Sequence, residues 1–170
     1  MPEPSADREH VDQVVAGFDP AMVIVTTAVG DERSGCLVGF HSQSSIEPLR
    51  YVVWMSTRNH TASLVGRAAV LAVHALAADQ HRLAEIFGGH SADLPEGYDK
   101  FDRVGWAPGP GGVPILDEAS AVFVGRVVGV HDFGGDHRCV ELDPFAVPAW
   151  RSVPPLRLSD VGDVEPGHPA

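Results

Sequence analysis

Apolar, β-branched residues occur in short runs along most of the chain, and turn-forming residues separate these runs. Runs bounded by Gly, Pro, Asn and Asp are typical of strands, because branched side chains pack well on a pleated surface. The pattern therefore predicts strands over residues 21–28, 35–45, 51–56, 70–76, 120–131 and 138–142.

Local composition predicts two turns between these strands. Gly30-Asp31-Glu32 predicts a turn that joins the first two strands as a hairpin. Gly134-Gly135-Asp136 predicts the turn before the last strand.

Three other stretches have apolar residues at helical spacing. Val11 to Phe18 predicts an amphipathic helix that ends before Asp19-Pro20, because the residue preceding a proline disfavours helix. Asn59 precedes a predicted helix over residues 61–65 as its capping residue, and residues 79–87 predict a third helix.

Strands dominate this pattern, with neither a regular strand–helix alternation nor an internal repeat. Residues 88–113 are rich in Gly, Pro and Asp and predict a long, mostly irregular connection. The pattern favours an antiparallel barrel with short flanking helices. We expect a flexible arm over residues 1–10, one domain over residues 11–143, and an extended or disordered tail over residues 144–170.

Length and charge narrow the classes of function. The chain has 170 residues, which fits one domain, and its formal net charge is −11 at pH 7. Phosphate backbones repel an acidic chain, so neither nucleic acid nor a membrane surface is an expected partner. No apolar run reaches the ~18 residues of a membrane helix. The polar N-terminus resembles no signal peptide, so we expect a cytoplasmic protein.

Cysteines and histidines form no recognisable site pattern. Cys36 and Cys139 lie in apolar stretches and are expected to be buried free thiols. The nine histidines show no metal-ligand spacing, so no metal site is predicted. His74 lies inside an apolar strand and is expected to be a core histidine with satisfied hydrogen bonds. The sequence contains no dinucleotide-binding fingerprint, Walker A loop or nucleophile elbow.

One ordered set of motifs resembles a known family. Residues 35–48 begin as an apolar strand and become a run of small polar residues that ends in Ile46-Glu47-Pro48. The later motifs are Asn59-His60-Thr61, Leu76-Ala77-Ala78-Asp79-Gln80, Val113-Pro114-Ile115-Leu116-Asp117 and Gly135-Asp136-His137. Over residues 18–143, their order and spacing resemble the flavin reductase family. The chain departs from the common family pattern at Cys36-Leu37 and Gly39-Phe40.

The resemblance implies both a fold and a binding site. Members of this family are Greek-key split β-barrels, and they bind FMN on the barrel surface near a homodimer interface. By resemblance, the second strand and the loop after the third strand hold the flavin. The residues expected to bind it are Leu37, Val38, Gly39, Phe40, Ser42, Ser44, Ser45, Arg58, Asn59, His60, Thr61 and Phe101.

The chemistry of these residues suits a flavin, but each residue type also has a plainer structural role. Serine hydroxyls donate hydrogen bonds to phosphate or ring oxygens, and they also suit a solvated strand edge. Asn59 and Thr61 suit either a phosphate site or a helix cap. Gly39 lets the backbone approach a flat ring, whereas Phe101 suits either a flavin edge or ordinary packing.

His137 is the candidate catalytic residue. It follows the Gly134-Gly135-Asp136 turn, and the resemblance places it beside the flavin and the nicotinamide pocket. The near-neutral pKa of a histidine suits proton exchange with a reduced flavin. The alternative is a turn histidine that makes only local hydrogen bonds.

The resemblance implies an NAD(P)H-dependent flavin reductase that acts as a homodimer. It would pass a hydride from NADH or NADPH to FMN or FAD and supply reduced flavin to a monooxygenase partner. Two alternatives stay open. One is a split barrel that holds flavin, deazaflavin or haem without turnover, and the other is an interaction barrel without a cofactor.

Overall fold

The computed structural model describes residues 7–89, 97–162 and 164. The helices are α1 Arg8–Ala16, α2 His60–Val65 and α3 His81–Gly88. The strands are β1 Val23–Val29, β2 Glu32–Val38, β3 His41–Ser45, β4 Arg50–Ser56, β5 Val70–Ala75, β6 Trp106–Pro108, β7 Pro114–Leu116, β8 Ala121–Asp132 and β9 His137–Ala149.

Seven of the strands form one antiparallel sheet that curls into a split barrel. The strand order is β2-β1-β5-β8-β9-β4-β3, and β6 pairs with β7 separately. Helix α2 packs against β1, β2 and β4, and β2 also contacts β4 across the barrel. The predicted fold class, a mainly β antiparallel split barrel with short flanking helices, is confirmed.

Two apolar clusters form the core, because the central strands are covered on both faces. Val25, Val53 and Leu142 are fully buried inside the barrel. On the other face, Phe87 of α3 belongs to the same cluster as Ile24 of β1. Alternate residues of β1 therefore enter different clusters, which explains its continuous apolar run.

The predicted strand over residues 35–45 is divided into β2 and β3. Strand β2 pairs with β1, whereas β3 pairs with β4, so the chain changes partner at Gly39-Phe40. The ring nitrogens of His41 stabilise this crossing, since each lies 2.6 Å from an oxygen, one of the Tyr51 hydroxyl and one of the Ala21 carbonyl. The sequence pattern does not reveal the crossing because both halves have extended geometry.

The last strand extends beyond the predicted domain boundary at residue 143. Strand β9 continues to Ala149 and pairs with β8 along most of its length. Beyond it, Leu156 is buried, and backbone bridges join this segment to residues flanking β1 and β5. The described residues 144–162 therefore belong to the folded unit. Prolines concealed this strand in the sequence, and register shifts in the β8–β9 ladder accommodate them.

Helix α1 begins at Arg8, inside the predicted arm and before the predicted start at Val11. The side chain of Asp7 caps it by accepting a hydrogen bond from the Glu9 N–H. None of its residues is buried, and Val14 is 64% exposed. The helical spacing of its valines therefore does not reflect packing against the described core.

The connection before β7 contains short elements, as expected for a connection of its length. A 3-10 helix spans Lys100–Arg103, and β6 and β7 follow it. His74 of β5 holds β7 in place, because its Nδ1 lies 3.0 Å from the Ile24 carbonyl oxygen and its Nε2 accepts the Leu116 N–H at 3.2 Å. His74 is thus the satisfied core histidine that the sequence predicts. Residues 90–96 of this connection lie outside the described part.

Candidate functional site

Cross-strand register defines an outer face on β3, β4 and β9, opposite the barrel interior. Val53 and its partner Val140 belong to the interior cluster, so the next residue of β4, Trp54, points outwards. Trp54 lies opposite Cys139, and the backbone N–H of Trp54 donates a hydrogen bond to the Phe40 carbonyl at 2.8 Å. The residues that we call the outer face are Phe40, Ser42, Val52, Trp54, Ser56, His137, Cys139 and Glu141.

Aromatic rings cluster at one end of the outer face. The ring centroids of Phe40 and His137 lie 5.2 Å apart, and those of Trp54 and Phe133 lie 5.6 Å apart. Phe40 is 53% exposed and Phe133 is 72% exposed. Exposed rings around a partly buried histidine form a surface suited to a planar ligand.

Local contacts hold His137 in one orientation. Its Nδ1 lies 2.7 Å from Oδ1 of Asp136, and because a carboxylate only accepts, Nδ1 is the donor of this hydrogen bond. The N–H and hydroxyl of Thr57 both donate to the Asp136 carbonyl, at 2.9 and 3.1 Å. The loop after β4 and the turn before β9 are therefore joined beside the candidate catalytic residue.

A second feature is a groove of about 630 Å³ beside the start of β2. We call it the β2 groove, and its walls are residues 31–35, His60 at the start of α2, and residues 97–101. Its wall contains the carboxylates of Asp31, Glu32 and Asp99, the cations of Arg33 and Lys100, and the imidazole of His60. This mixture of acidic and basic groups distinguishes the groove from the aromatic outer face.

Three of the residues predicted for phosphate binding lie at the start of α2, where His60 lines this groove, and local contacts occupy all three side chains. The Asn59 side chain caps α2 by accepting the Thr61 N–H at 3.0 Å. Thr61 is fully buried, and its hydroxyl lies 2.8 Å from the Ser34 hydroxyl. His60 pairs with Glu32 at 3.0 Å between Nε2 and Oε1. The capping alternative thus describes Asn59, whereas the Thr61 hydroxyl joins α2 to β2.

Lys100 contributes a partly desolvated cation to the groove. Its Nζ donates to the Phe87 carbonyl at 3.2 Å, and burial lowers the pKa of its ammonium group, while Cys36 opposes this shift. A partly desolvated ammonium gains more from a nearby anion than one in water does. Lys100 is the chain's single lysine and adjoins the candidate residue Phe101, and these two facts are the signal in the sequence that points to it.

The remaining predicted residues fall into two groups. Leu37, Val38 and Phe101 contribute their side chains to the apolar clusters, and Phe101 contacts Phe87 with ring centroids 5.6 Å apart. The exposed group comprises Ser42 and Ser44 on β3 and Arg58 in the loop after β4, with Ser45 half-buried opposite Arg50. Gly39 lies between the two groups, at the crossing from β2 to β3.

Both cysteines are buried free thiols, as predicted. Burial raises the pKa of Cys36 to about 11, although hydrogen bonds from Thr61 and Asn59 act in the opposite direction. Burial and then the charge of Glu141 raise the pKa of Cys139. Both residues are therefore neutral thiols at neutral pH, which makes them poor nucleophiles.

The fold is a split barrel that carries an aromatic, histidine-containing face and a charged groove. Residues 16–152 match the family model described as "Flavin reductase like domain". The chain belongs to this family, as the sequence motifs predict. None of the helices within the described ranges has the length and hydropathy that crossing a membrane requires.

Two enzymes with named activities are similar to this chain in sequence. The NADPH-flavin oxidoreductase of Streptomyces viridifaciens is 30% identical over 101 residues, which are 59% of this chain and 51% of that protein. The FMN reductase (NADH) RutF 2 of Rhizobium rhizogenes is 25% identical over 150 residues, or 86% and 82% of the two chains. The chain thus spans about half the length of the Streptomyces viridifaciens relative.

A solved structure shows the same fold. The NADH:FAD oxidoreductase of Streptomyces globisporus superposes with a TM-score of 0.71 at 24% identity. The superposition covers 88% of this chain and 89% of that one.

The spacing of the two features fits a flavin nucleotide. Gly35 lines the β2 groove, and Gly39 precedes Phe40 of the outer face. The two glycines are four positions apart in the chain, a distance of about 13 Å in an extended strand. An extended flavin mononucleotide has a comparable length, with a flat ring at one end and a phosphate at the other. The residues at the two ends suit those two chemical groups.

Proposed function

We propose that this protein is an NAD(P)H-dependent flavin reductase that holds flavin between its outer face and its β2 groove. The observation that carries the proposal is the placement of His137 and Phe40 near one end of β2, with Lys100 and His60 at the other. Family membership supports it. Bound FMN or FAD supplies the hydride acceptor, and NADH or NADPH is the donor substrate.

The groove end binds the flavin phosphate in this proposal. Lys100 supplies positive charge and His60 supplies a ring N–H, and charge-assisted hydrogen bonds to phosphate are the strongest of their kind. His60 and Glu32 form an ion pair whose side chains are 55% and 46% exposed, so it exchanges partners at little cost. Arg58 approaches the same phosphate from the loop before α2.

The outer-face end binds the flat ring. Phe40 offers an exposed ring, and Gly39 lets the backbone come close. The hydroxyls of Ser42, Ser44 and Ser45 donate hydrogen bonds to ring oxygens. Since the side chains of Leu37 and Val38 enter the apolar clusters, we assign these two residues backbone contacts only.

His137 is the catalytic residue in this proposal. Asp136 holds its Nδ1–H, so Nε2 is the atom that orients the nicotinamide or holds a proton beside it. Phe40 packs against the imidazole and restricts its rotation. No side chain needs to act as a nucleophile, because the transferred hydride passes between donor and cofactor.

A second copy of the chain completes the site. Ile46 is 84% exposed and Leu49 is 47% exposed in the β3–β4 connection, and the rings of Phe40 and Phe133 are exposed as well. Apolar side chains gathered on one face are typical of an interface. We expect a homodimer by sedimentation velocity, and Ile46→Glu shifts it towards monomer if this face is the interface.

Reduced flavin leaves the site for a monooxygenase partner in the cytoplasm, where NADH and NADPH are available. An open surface site suits this exchange better than an enclosed cavity does. A coupled assay with a flavin-dependent monooxygenase and no other reductase tests this part. Hydroxylated product forms only when the protein, NAD(P)H and flavin are all present.

One observation favours the alternative of flavin, deazaflavin or haem binding without turnover. Phe40 lies against His137, whose side chain is only 25% exposed. A ring in this position blocks a nicotinamide unless it moves when the ligand binds.

The absorption spectrum of the purified protein separates these functions. Flavin bands that bleach on addition of NADH or NADPH establish the reductase. Flavin bands that do not bleach establish a carrier, or an enzyme with a different electron donor. A protein that binds neither FMN nor FAD at micromolar concentration refutes the proposal, although its fold remains.

A further inference from the structure

Helix α1 presents an exposed apolar stripe to its surroundings. Val11, Val14 and Val15 lie on one side of the helix, because residues three and four positions apart face the same direction. We call these three valines the α1 stripe, and they are 44, 64 and 50% exposed. Isolated helices shorter than about 12 to 15 residues are only marginally stable in water, and α1 has nine residues. A helix of this length needs an apolar surface on which its stripe packs.

The end of β9 presents a second exposed apolar surface. Phe145, Val147 and Trp150 are 39, 66 and 78% exposed, and we call them the β9 patch. Ala146 and Ala149 pack against the apolar cluster that contains Phe87. Phe145 and Val147 therefore face away from that cluster, because successive side chains of a strand alternate between its two faces.

This part of β9 is a sheet edge. Its pairing with β4 ends at Leu142, whereas its pairing with β8 continues to Ala149. Pro144 and Pro148 are typical of an edge, because a proline has no N–H to donate to a neighbouring strand. Among the described residues, no second strand pairs with residues 144–149. The β9 patch is therefore open to another element.

The charges of the two surfaces are complementary. Residues 7–16 contain three carboxylates and one arginine, a net charge of −2 with histidine neutral. The guanidinium carbon of Arg126 lies 4.1 Å from the ring centroid of Phe145, and its side chain is 58% exposed. Arg151 directly follows Trp150 and is also exposed. An acidic helix is attracted to an apolar patch that carries two arginines.

The position of the β9 patch favours a second copy of this chain as its occupant. Nη1 of Arg50 donates a hydrogen bond to Oδ1 of Asp143 at 3.0 Å, so the end of the β3–β4 connection meets β9 where the patch begins. The exposed Ile46 and Leu49 of this connection belong to the face proposed for the homodimer. The patch therefore continues that face. In a two-fold dimer every contact occurs twice, so each copy supplies one helix and one patch.

We propose that α1 packs its stripe on the β9 patch of a second copy, so that the two copies exchange their N-terminal helices. Burial of the valines against Phe145, Val147 and Trp150 stabilises both the helix and the dimer. Arg126 and Arg151 attract the carboxylates of α1. The inference rests on the homodimer of the proposed function, and it does not depend on flavin binding.

Sedimentation velocity of two variants tests the role of the helix. Val14→Glu should raise the dissociation constant of the dimer by at least about 10-fold, because the new carboxylate would be buried among apolar side chains. Gln13→Glu is the matched control. It makes the same change in charge one position away, on the opposite side of α1, so its dissociation constant should stay within about 2-fold of the native value. Thermal unfolding verifies that both variants are folded.

Acrylamide quenching of tryptophan fluorescence identifies the surface that α1 covers. The chain has three tryptophans, of which Trp150 is the most exposed in a single copy, whereas Trp54 and Trp106 are half-buried. Quenching should increase in Val14→Glu and stay unchanged in Gln13→Glu, because only the first variant uncovers Trp150. In a Trp150→Phe background, Val14→Glu should no longer change the quenching.

A mixing experiment shows whether the contact joins two chains. Val14→Glu and Val147→Lys should each weaken the dimer on their own. A mixture of the two variants should dimerise more tightly than either alone. Its heterodimer contains one native contact and one contact in which the two introduced charges are opposite.

The outcomes separate this inference from the flavin site. A native chain that sediments as a monomer, or an unchanged dissociation constant in Val14→Glu, overturns the inference. A Val14→Glu chain that exposes Trp150 without any change in mass shows that α1 covers the patch of its own chain, which also overturns it. A native dimer that behaves as expected but binds neither FMN nor FAD retains this interface and refutes the proposed flavin site.

Discussion

Two histidines on the same sheet have opposite environments. His74 of β5 is fully buried, and its ring nitrogens bond to backbone groups of β1 and β7. His137 lies at the start of β9, where one nitrogen bonds to Asp136 and the ring packs against exposed Phe40. His74 joins two elements of the fold, whereas His137 presents its chemistry to the surface. The difference shows that burial and the choice of partners, rather than residue type, separate a structural histidine from a candidate catalytic one.

The pKa of His74 agrees with its structural role. Burial is the main reason why the pKa of His74 falls to about 4, although a hydrogen bond to Ile24 acts in the opposite direction. A ring with that pKa is neutral throughout the physiological range and cannot exchange protons there. Removal of His74 should therefore affect stability, and removal of His137 should affect turnover.

The largest expected effect is the loss of stability in His74→Ala. The variant leaves the Ile24 carbonyl and the Leu116 N–H without a partner and creates a cavity, so we expect about 4 kcal/mol less unfolding free energy. Urea unfolding measures the difference. His131→Ala, at an exposed histidine of β8, is the control, and its change should stay below about 1 kcal/mol. A loss in His74→Ala no larger than in the control contradicts the proposed structural role.

Acidification should lower the free energy of unfolding through His74. The folded-state pKa of His74, about 4, lies below the unfolded value of about 6.5. The unfolded state therefore binds more protons between these values, so stability is full above pH 6.5 and is lost as the pH falls towards 4. The loss amounts to about 3 kcal/mol across this window. Unfolding of the native chain and His74→Gln, from pH 7 to pH 4.5, isolates the effect, because only the native chain should show this component.

His137→Gln should alter turnover without altering stability. Loss of the Nε2 site should lower kcat/KM for NAD(P)H oxidation by about 100-fold, the lower range for a group in general acid–base catalysis. The unfolding free energy should change by less than about 1 kcal/mol. Steady-state kinetics and urea unfolding of the same preparations provide both numbers, with His131→Gln as the control. Full activity in His137→Gln would assign this histidine to the turn alone.

Phe40→Ala should have the smallest effect. The loss of one exposed ring contact should weaken flavin binding by about 10-fold, consistent with the upper range for an aromatic pair. Phe18→Ala is the matched control, because Phe18 is 74% exposed and lies after α1, outside the proposed site. Tighter binding of NADH or NADPH to Phe40→Ala than to the native chain would show instead that the Phe40 ring blocks the nicotinamide site.

Most strands of the large sheet were predictable because they contain the β-branched runs typical of strands. The short strands β6 and β7 were not predicted, because they lie in and just after a stretch rich in Gly and Pro. The β-branched residues of β1 and β8 lie between clear turns, and Gly30 and Gly134 adopt the positive φ of 60° and 82° that such turns favour. Two further features of the fold were not predictable. The change of strand partner at Gly39-Phe40 leaves no trace in the hydrophobic pattern. The prolines of β9 predict a loop, and only the register shifts in the β8–β9 ladder show how a strand accommodates them.

The site was predictable in part. Family motifs indicated Phe40, Asn59, His60 and His137. Phe40 and His137 lie together on the outer face and His60 lines the β2 groove, whereas Asn59 caps α2. Arg33 was not indicated, because its ion-pair partner Asp99 lies in the long connection. Trp54 and Phe133 were not indicated either, since only the strand register brings their rings together.

The sequence by itself determined the type of most elements, the burial of both cysteines and the family. These properties depend on local composition and on motifs whose order is visible along the chain. Only the tertiary structure decided which polar groups are already paired, as with Thr61 and Ser34, and which face a groove, as Arg33 does. Such pairing depends on strand register and packing between residues distant in sequence, and neither is a property of any local segment.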